Sequence, residues 1–178
     1  HYLESTWRLH RGRIHLARGD RAGAVDEGEA GGEHARVASD AQVLVPALAF
    51  QVRVLWAIGV DTAEALALEL VDICQTSPLE VANDWFPEVA VALAGLDRMP
   101  ELEIVAESVP TATPWREGGL ALGRGDPLSA AAIFGEMGAR SFEAESHLFA
   151  AEEGLDADLP GAIEFFREAG ASACLAEA

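Results

Sequence analysis

Apolar residues recur along this chain at spacings of three and four, in runs of ten to eighteen residues, while strict alternation of apolar with polar positions is scarce. The pattern predicts an all-α fold. Helix punctuation is dense. Asp61 with Glu64, and Ser77 with Glu80, have the spacing of capping boxes, in which the first side chain accepts from the third helical N–H and the glutamate reaches back. Pro78, Pro114 and Pro127 directly follow Ser77, Thr113 and Asp126, the order expected where a helix begins. These starts predict helices at about 3–18, 21–38, 41–58, 62–75, 84–97, 100–108, 114–124, 127–137, 140–153 and 159–169, with a short terminal one from 171. Only 75–83 and 108–113 read as longer loops. Consecutive helices joined by tight turns form antiparallel hairpins.

One spacing is written twice. Gly12, Gly19, Asp20 and Ala24 stand at the same intervals as Gly118, Gly125, Asp126 and Ala130. A small residue in the middle of one helix lets the next approach closely, and the small residue after the turn sits opposite it. Between them Gly19 or Gly125 takes the left-handed conformation that ends a helix, and Asp20 or Asp126 caps the following one. Looser copies follow: Gly59 with Asp61 and Ala65, Gly95 with Asp97, and Gly154 before Ala162 and Phe166. The turn glycines recur from Gly19 at intervals of 40, 36, 30 and 29 residues, in the range of helical repeats.

At these residues the chain resembles the tetratricopeptide repeat family. That family places an aromatic early in the first helix, Gly or Ala in its middle, a Gly-Asp type of turn, Ala early in the second helix and an aromatic four residues on. Trp115, Gly118, Gly125, Asp126, Ala130 and Phe134 form the fullest copy. In the first copy Trp7, Gly12, Gly19, Asp20 and Ala24 fit, but Gly28 stands where the second aromatic is expected. The second copy has Val52 for the small residue, and the third keeps Trp85 and little more. The resemblance implies a helical-hairpin solenoid of four to five antiparallel pairs, a single repeat domain over 1–178 with repeats near 3–39, 41–76, 79–108, 113–138 and 140–170 and a terminal helix at 171–177. The run Ala162-x-x-Phe165-Phe166-Arg167-x-x-Gly170-Ala171 is similar to the end of the repeat regions that close large bacterial signalling ATPases, including LuxR-type transcriptional regulators and adenylate-cyclase-like proteins. In those families such repeats are sensor or interaction regions, and the nucleotide-binding and output domains lie upstream. The first residues lack an initiator Met and run almost directly into a helical pattern, as in a piece excised from a longer chain.

Composition narrows the partners. With 178 residues the chain is long enough to bury about two-thirds of its unfolded surface. A formal net charge of -18 argues against nucleic acid, whose binding needs clustered cations, and against an acidic membrane surface. No apolar run has the length of a membrane span and no signal pattern opens the chain, so a cytoplasmic location is expected. All twelve Lys+Arg are Arg, a bias that reads as high-GC coding. Cys74 and Cys174 lack metal-site or CxxC spacing and read as reduced core residues.

Catalytic signals are missing. The chain has no Lys and so no phosphate-binding GxxxxGK[ST] loop, and HExxH, GxSxG and Cys–His patterns do not occur. His10 and His15 diverge by about 140° on a helix and share no metal face. Glu143 and His147 stand one turn apart, which fits an ordinary helix pair better than a metal site, and Glu101–Glu103 and Glu152–Glu153 read as solvated faces. No catalytic residue, cofactor or metal is expected.

Binding is the better functional expectation, with a protein or peptide, or the upstream domains, as partner. In the resembled family the first helices of successive pairs line a concave groove. Carried over residue by residue, that face holds Leu9, Arg13 and Leu16, then Ala49, Arg53 and Trp56, then Trp85 and Val89, then Trp115 and Leu122. Arg13 and Arg53 fall at equivalent places, so Arg13, Arg53, Trp56, Trp85 and Trp115 are the candidate partner-binding residues, suited to an acidic or C-terminal carboxylate segment held by bidentate contacts and stacking. The same tryptophans also fit as core wedges, and the same arginines as surface charge. Five arginines fall in the first 21 residues while Arg98 is the only cation over 61–110, a polarity able to steer an upstream domain or a second copy, giving a homo-oligomer, toward the basic end. It equally suits an end repeat whose face a preceding repeat once covered. The expected role is a non-catalytic interaction or sensory module of a larger bacterial regulator; a small helical enzyme domain with an acidic site and a self-association module are the alternatives.

Overall fold

The computed structural model describes residues 1–77 and 79–178, apart from the side chain of Glu177. Its helices are α1 (Tyr2–Ala17), α2 (Arg21–Ala38), α3 (Ala41–Ala57), α4 (Thr62–Thr76), α5 (Trp85–Gly95), α6 (Met99–Ser108), α7 (Pro114–Gly123), α8 (Pro127–Glu136), α9 (Arg140–Glu152), α10 (Leu159–Ala169) and α11 (Ser172–Glu177). The protein is all-helical: no strand occurs among the described residues, and every helix begins and ends within two residues of its expected place. The two longer loops lie side by side, joined by a parallel bridge between Val81 and Thr111 and by a bond from the Thr113 hydroxyl to the Ala82 carbonyl at 3.1 Å. Among the described residues no helix is long and apolar enough to cross a membrane.

Side-chain caps fix five of the starts, those of α2, α3, α7, α8 and α10, and two expected capping boxes do not form. Asp20 accepts from the Gly23 N–H at 3.0 Å, Asp126 from Ser129 at 3.1 Å and Thr113 from Arg116 at 3.2 Å, with Pro114 and Pro127 in the first turn behind their caps. The box expected at Asp61 and Glu64 does not form. Asp61 already has helical backbone angles, φ -57° and ψ -25°, which turn its carboxylate away from the helix N–H groups, and Glu64 instead pairs with Arg98. Ser77 ends α4 and starts no helix, so its pairing with Glu80 is also absent; Pro78 lies outside the described residues.

The hairpin turns carry the repeated spacing. Gly125 has φ +73° and Gly19 has φ +78°, the left-handed region that side chains other than Gly and Asn adopt at a cost. In the third copy the left-handed residue is Asp97, φ +58°, while Gly95 lies inside α5 against the Trp56 ring; the expected turn glycine is a packing glycine. Ala24 and Ala130 are fully buried, as close helix approach requires. A side chain at Gly118 would lie 2.6 Å from the ring of Phe134. Over Gly12 the ring belongs to Phe50 of α3, which fills the place that Gly28 leaves without an aromatic.

Each helix packs on its sequence neighbour, except that α4 and α5, separated by the long loop, do not form a principal pair. A second rule links alternate helices: α1 packs on α3, α3 on α5, α5 on α7, and α4 on α6. The largest core joins α3 to α7 around Leu48, Leu70, Trp85, Phe86, Leu93 and Leu102. Cys74 lies in it, and burial pushes its thiol up to about 11 against an opposing bond from Ser108, which leaves it inert. A separate cluster, Leu148, Ala162 and Phe166 with Ala17 of α1 and Leu175 of α11, brings the end of the chain back to its beginning. There the Ser172 hydroxyl donates to the Arg18 carbonyl at 3.0 Å, and α11 packs on α1.

Candidate functional site

The alternate packing of α1, α3, α5 and α7 sets one side of each around a common space, which α9, α10 and α11 also line. That space is a cavity of about 1090 Å³. Arg13 and Leu16 of α1, Arg53 and Trp56 of α3, Trp115 and Leu122 of α7 line it, together with Asp84, Glu88, Glu145 and the rings of Phe142, Phe149 and Phe165.

Of the candidate residues, the fold therefore brings Arg13, Arg53, Trp56 and Trp115 to one cavity. Trp85 is elsewhere: it is 1% exposed, in the central core beside Phe86 with ring centroids 5.5 Å apart. Leu9, Ala49 and Val89, mapped to the same face, are buried as well. Trp115 stands at the edge of an aromatic group, 6.0 Å from Phe134 and 5.4 Å from Phe142. One side of Trp56 rests on Gly95, and the guanidinium of Arg53 lies over its ring at 4.9 Å.

The partners of both arginines are this chain's own carboxylates. Arg13 donates from Nε to Glu88 Oε1 at 2.9 Å, from Nη2 to Glu88 Oε2 at 3.2 Å and from Nη1 to Asp84 Oδ2 at 2.6 Å. Arg53 donates from Nη2 to Glu145 Oε1 at 2.5 Å. Burial works against the Arg13 charge, but the attraction of Glu88 and Asp84 outweighs it and holds its pKa above the ordinary arginine value. Glu88 is the most enclosed of these acids. Burial pushes its carboxyl above the usual carboxylate range, Arg13 and Arg53 oppose that rise, and Asp84 adds to it. The three carboxylates were not visible as partners in the sequence, since Glu88 is 75 residues from Arg13 and Glu145 is 92 from Arg53. A signal did exist: Glu88 is the one charged residue in WFPEVAVALAG, and a lone charge on an otherwise apolar helix needs a partner.

Other charged groups are engaged away from this space. Arg8 and Arg11 of the basic N-terminal stretch both bind the buried Glu27, at 3.1 and 2.7 Å. His15 pairs with the capping Asp20 at 2.7 Å, and His147 accepts from the Asp158 N–H at 3.3 Å. Among the described residues no three potential metal ligands cluster. The cavity offers apolar area, aromatic faces and fixed charges, the elements of recognition. Comparison with protein-family models, with curated proteins and with solved structures gives no match for this chain.

Proposed function

We propose that the chain is a tetratricopeptide-like solenoid of helical hairpins acting as a non-catalytic interaction or sensory module of a larger bacterial regulator, and that the cavity is where its ligand or partner segment is received. The carrying observation is the cavity itself, about 1090 Å³ in volume and walled by successive odd-numbered helices. That volume accepts a drug-sized molecule or a short peptide stretch. The full burial of Ala24 and Ala130, the helical glycines Gly12 and Gly118 with a phenylalanine ring over each, and the packing of each odd-numbered helix on the next from α1 to α7 support the repeat reading. The end-of-array resemblance of the Phe165-Phe166-Arg167 run supports the regulatory setting.

Binding fits the site better than catalysis on physical grounds. Its carboxylates are tied to guanidinium groups at 2.5–3.2 Å, an arrangement that fixes charge and shape and does not leave a base aimed at a reactive neighbour. The test is an amide and indole N–H shift titration with a panel of amphipathic small molecules and short peptides. A ligand whose shifts centre on Trp56, Trp115, Phe142 and Phe149 is expected. Shifts confined to the outer helices, or none across the panel, overturn the assignment of the cavity.

A further inference from the structure

The two arginines that line the cavity are not what it shows to an incoming molecule. Their side chains are 22% and 13% exposed at Arg13 and Arg53, whereas the side chains of Asp84 and Glu145 that hold them are 40% and 32% exposed. Each guanidinium is bonded to a carboxylate, and Asp84 and Glu145, which keep the greater solvent access of each pair, line the space. Three carboxylates, Asp84, Glu88 and Glu145, stand against the two guanidinium groups of Arg13 and Arg53 on this wall, while Arg18, Arg21 and Glu152 bring the whole lining to four arginines and four acids. Arg13 spends three of its N–H directions on carboxylate oxygens, and a fourth reaches the Asp84 carbonyl at 3.5 Å. An arriving anion would compete at Arg13 with carboxylates already bonded, and at Arg53, which bonds Glu145 from Nη2, it would meet the repulsion of that carboxylate. An arriving cation finds free lone pairs. Aromatic faces add to that preference, because Trp115, Phe142 and Phe149 present rings whose π-systems attract cations and whose area takes an apolar body. At the rim Arg18 and Arg21 oppose Glu152, but all three are exposed and screened by solvent.

We infer that the cavity takes an amphipathic organic cation: an ammonium or guanidinium head bonded to Asp84 and Glu145, on an apolar body laid against Trp115, Phe142 and Phe149. This rests on the cavity being the receiving site. The head has two possible sources with the same chemistry, a free amine or the basic side chain of a peptide. The net charge of -18 on the whole chain favours the encounter with either.

Three probes with one indole body decide the sign: tryptamine, cationic; tryptophol, neutral; and indole-3-propionate, anionic. Titrations followed by calorimetry and by the indole N–H signals of Trp56 and Trp115 are expected to give tryptamine about tenfold tighter binding than tryptophol, with the propionate weaker than both. Glu145→Gln, which keeps the shape of the partner to Arg53, is expected to weaken tryptamine about threefold and to leave tryptophol unchanged. Equal or tighter binding of tryptophol or the propionate overturns the cation while the cavity stands as a receiving site. No binding by any of the three overturns both. The series on the unaltered protein decides the matter even if the variant does not fold. Acetyl-Trp-Lys-amide then sorts the source: tighter binding than tryptamine assigns the head to a peptide side chain, weaker binding to a free amine.

Discussion

The ring of Phe50, carried on α3, lies against Gly12 of α1 and touches the space over Gly28. A packing contact that the fourth copy makes within one helix pair, Phe134 on Gly118, is thus made in the first copy by the following pair. Phe50 is 1% exposed, and its loss leaves a void that α1, α2 and α3 share. Phe50→Ala is expected to cost about 3 kcal/mol or more in denaturant unfolding. A cost under half of that would show that the three helices close over the gap.

Gly125 tests the turn without a packing term. Its φ is +73° and no atom lies within 4 Å of a Cβ placed there, so substitution acts through the backbone alone. Gly125→Val is expected to cost about 1 kcal/mol or more and Gly125→Asn distinctly less, because asparagine tolerates the left-handed region. Equal melting temperatures for the two variants would contradict a backbone origin.

Removing one member of the buried pair is expected to be worse than removing both. Arg13→Leu leaves Glu88, 8% exposed, without its bidentate donor, at a cost of about 3–5 kcal/mol. Arg13→Leu with Glu88→Leu deletes the stranded charge, and Asp84 keeps its contact with water, so the double variant is expected to recover much of that loss. Urea unfolding of the two singles and the double measures the coupling.

The caps give a pH signature at the acid end. Hydrogen bonds from the Ser129 hydroxyl and N–H hold Asp126 below the ordinary aspartate value of 3.8. A carboxylate depressed in the folded state contributes stability that is complete above its unfolded value and disappears as pH falls through its folded one. Stability is therefore expected to decline with falling pH below about 4, and Asp126→Ala is expected to flatten part of that decline. A carboxyl-carbon titration placing the Asp126 midpoint at or above its ordinary value would remove the cap from the account.

Helix ends were legible because their signals are local. Thr113-Pro114 and Asp126-Pro127 announce a start within two residues, whatever surrounds them. Asp61 shows the limit: the residue types of a capping box were present, but the backbone entering α4 was already helical, and Glu64 found Arg98. The spacing of the repeat placed Ala24 and Ala130 in the core, yet it could not distinguish Gly95 from Asp97 as the turn residue, since both suit a left-handed position. At the cavity, Arg13, Arg53, Trp56 and Trp115 were found by their places in the copies. Asp84, Glu88 and Glu145 were not, because ion pairs between residues 71 to 92 positions apart leave no periodic trace. Trp85 was placed on the same face by register, but it opens α5 directly after the long loop and is buried in the central core beside Phe86.

Helices that touch only their sequence neighbours open from the ends, each end on its own schedule. Here Ser172 holds Arg18, and Ala17 shares a cluster with Phe166 and Leu175, so the last helix cannot lift without uncovering the last turn of the first. The last turn of α1 and α11 are therefore expected to open as one unit. Amide protons in the final turn of α1 and in α11 should then exchange with solvent at a common rate, slowed together by any substitution that tightens Ser172 on Arg18 and released together by one that breaks it.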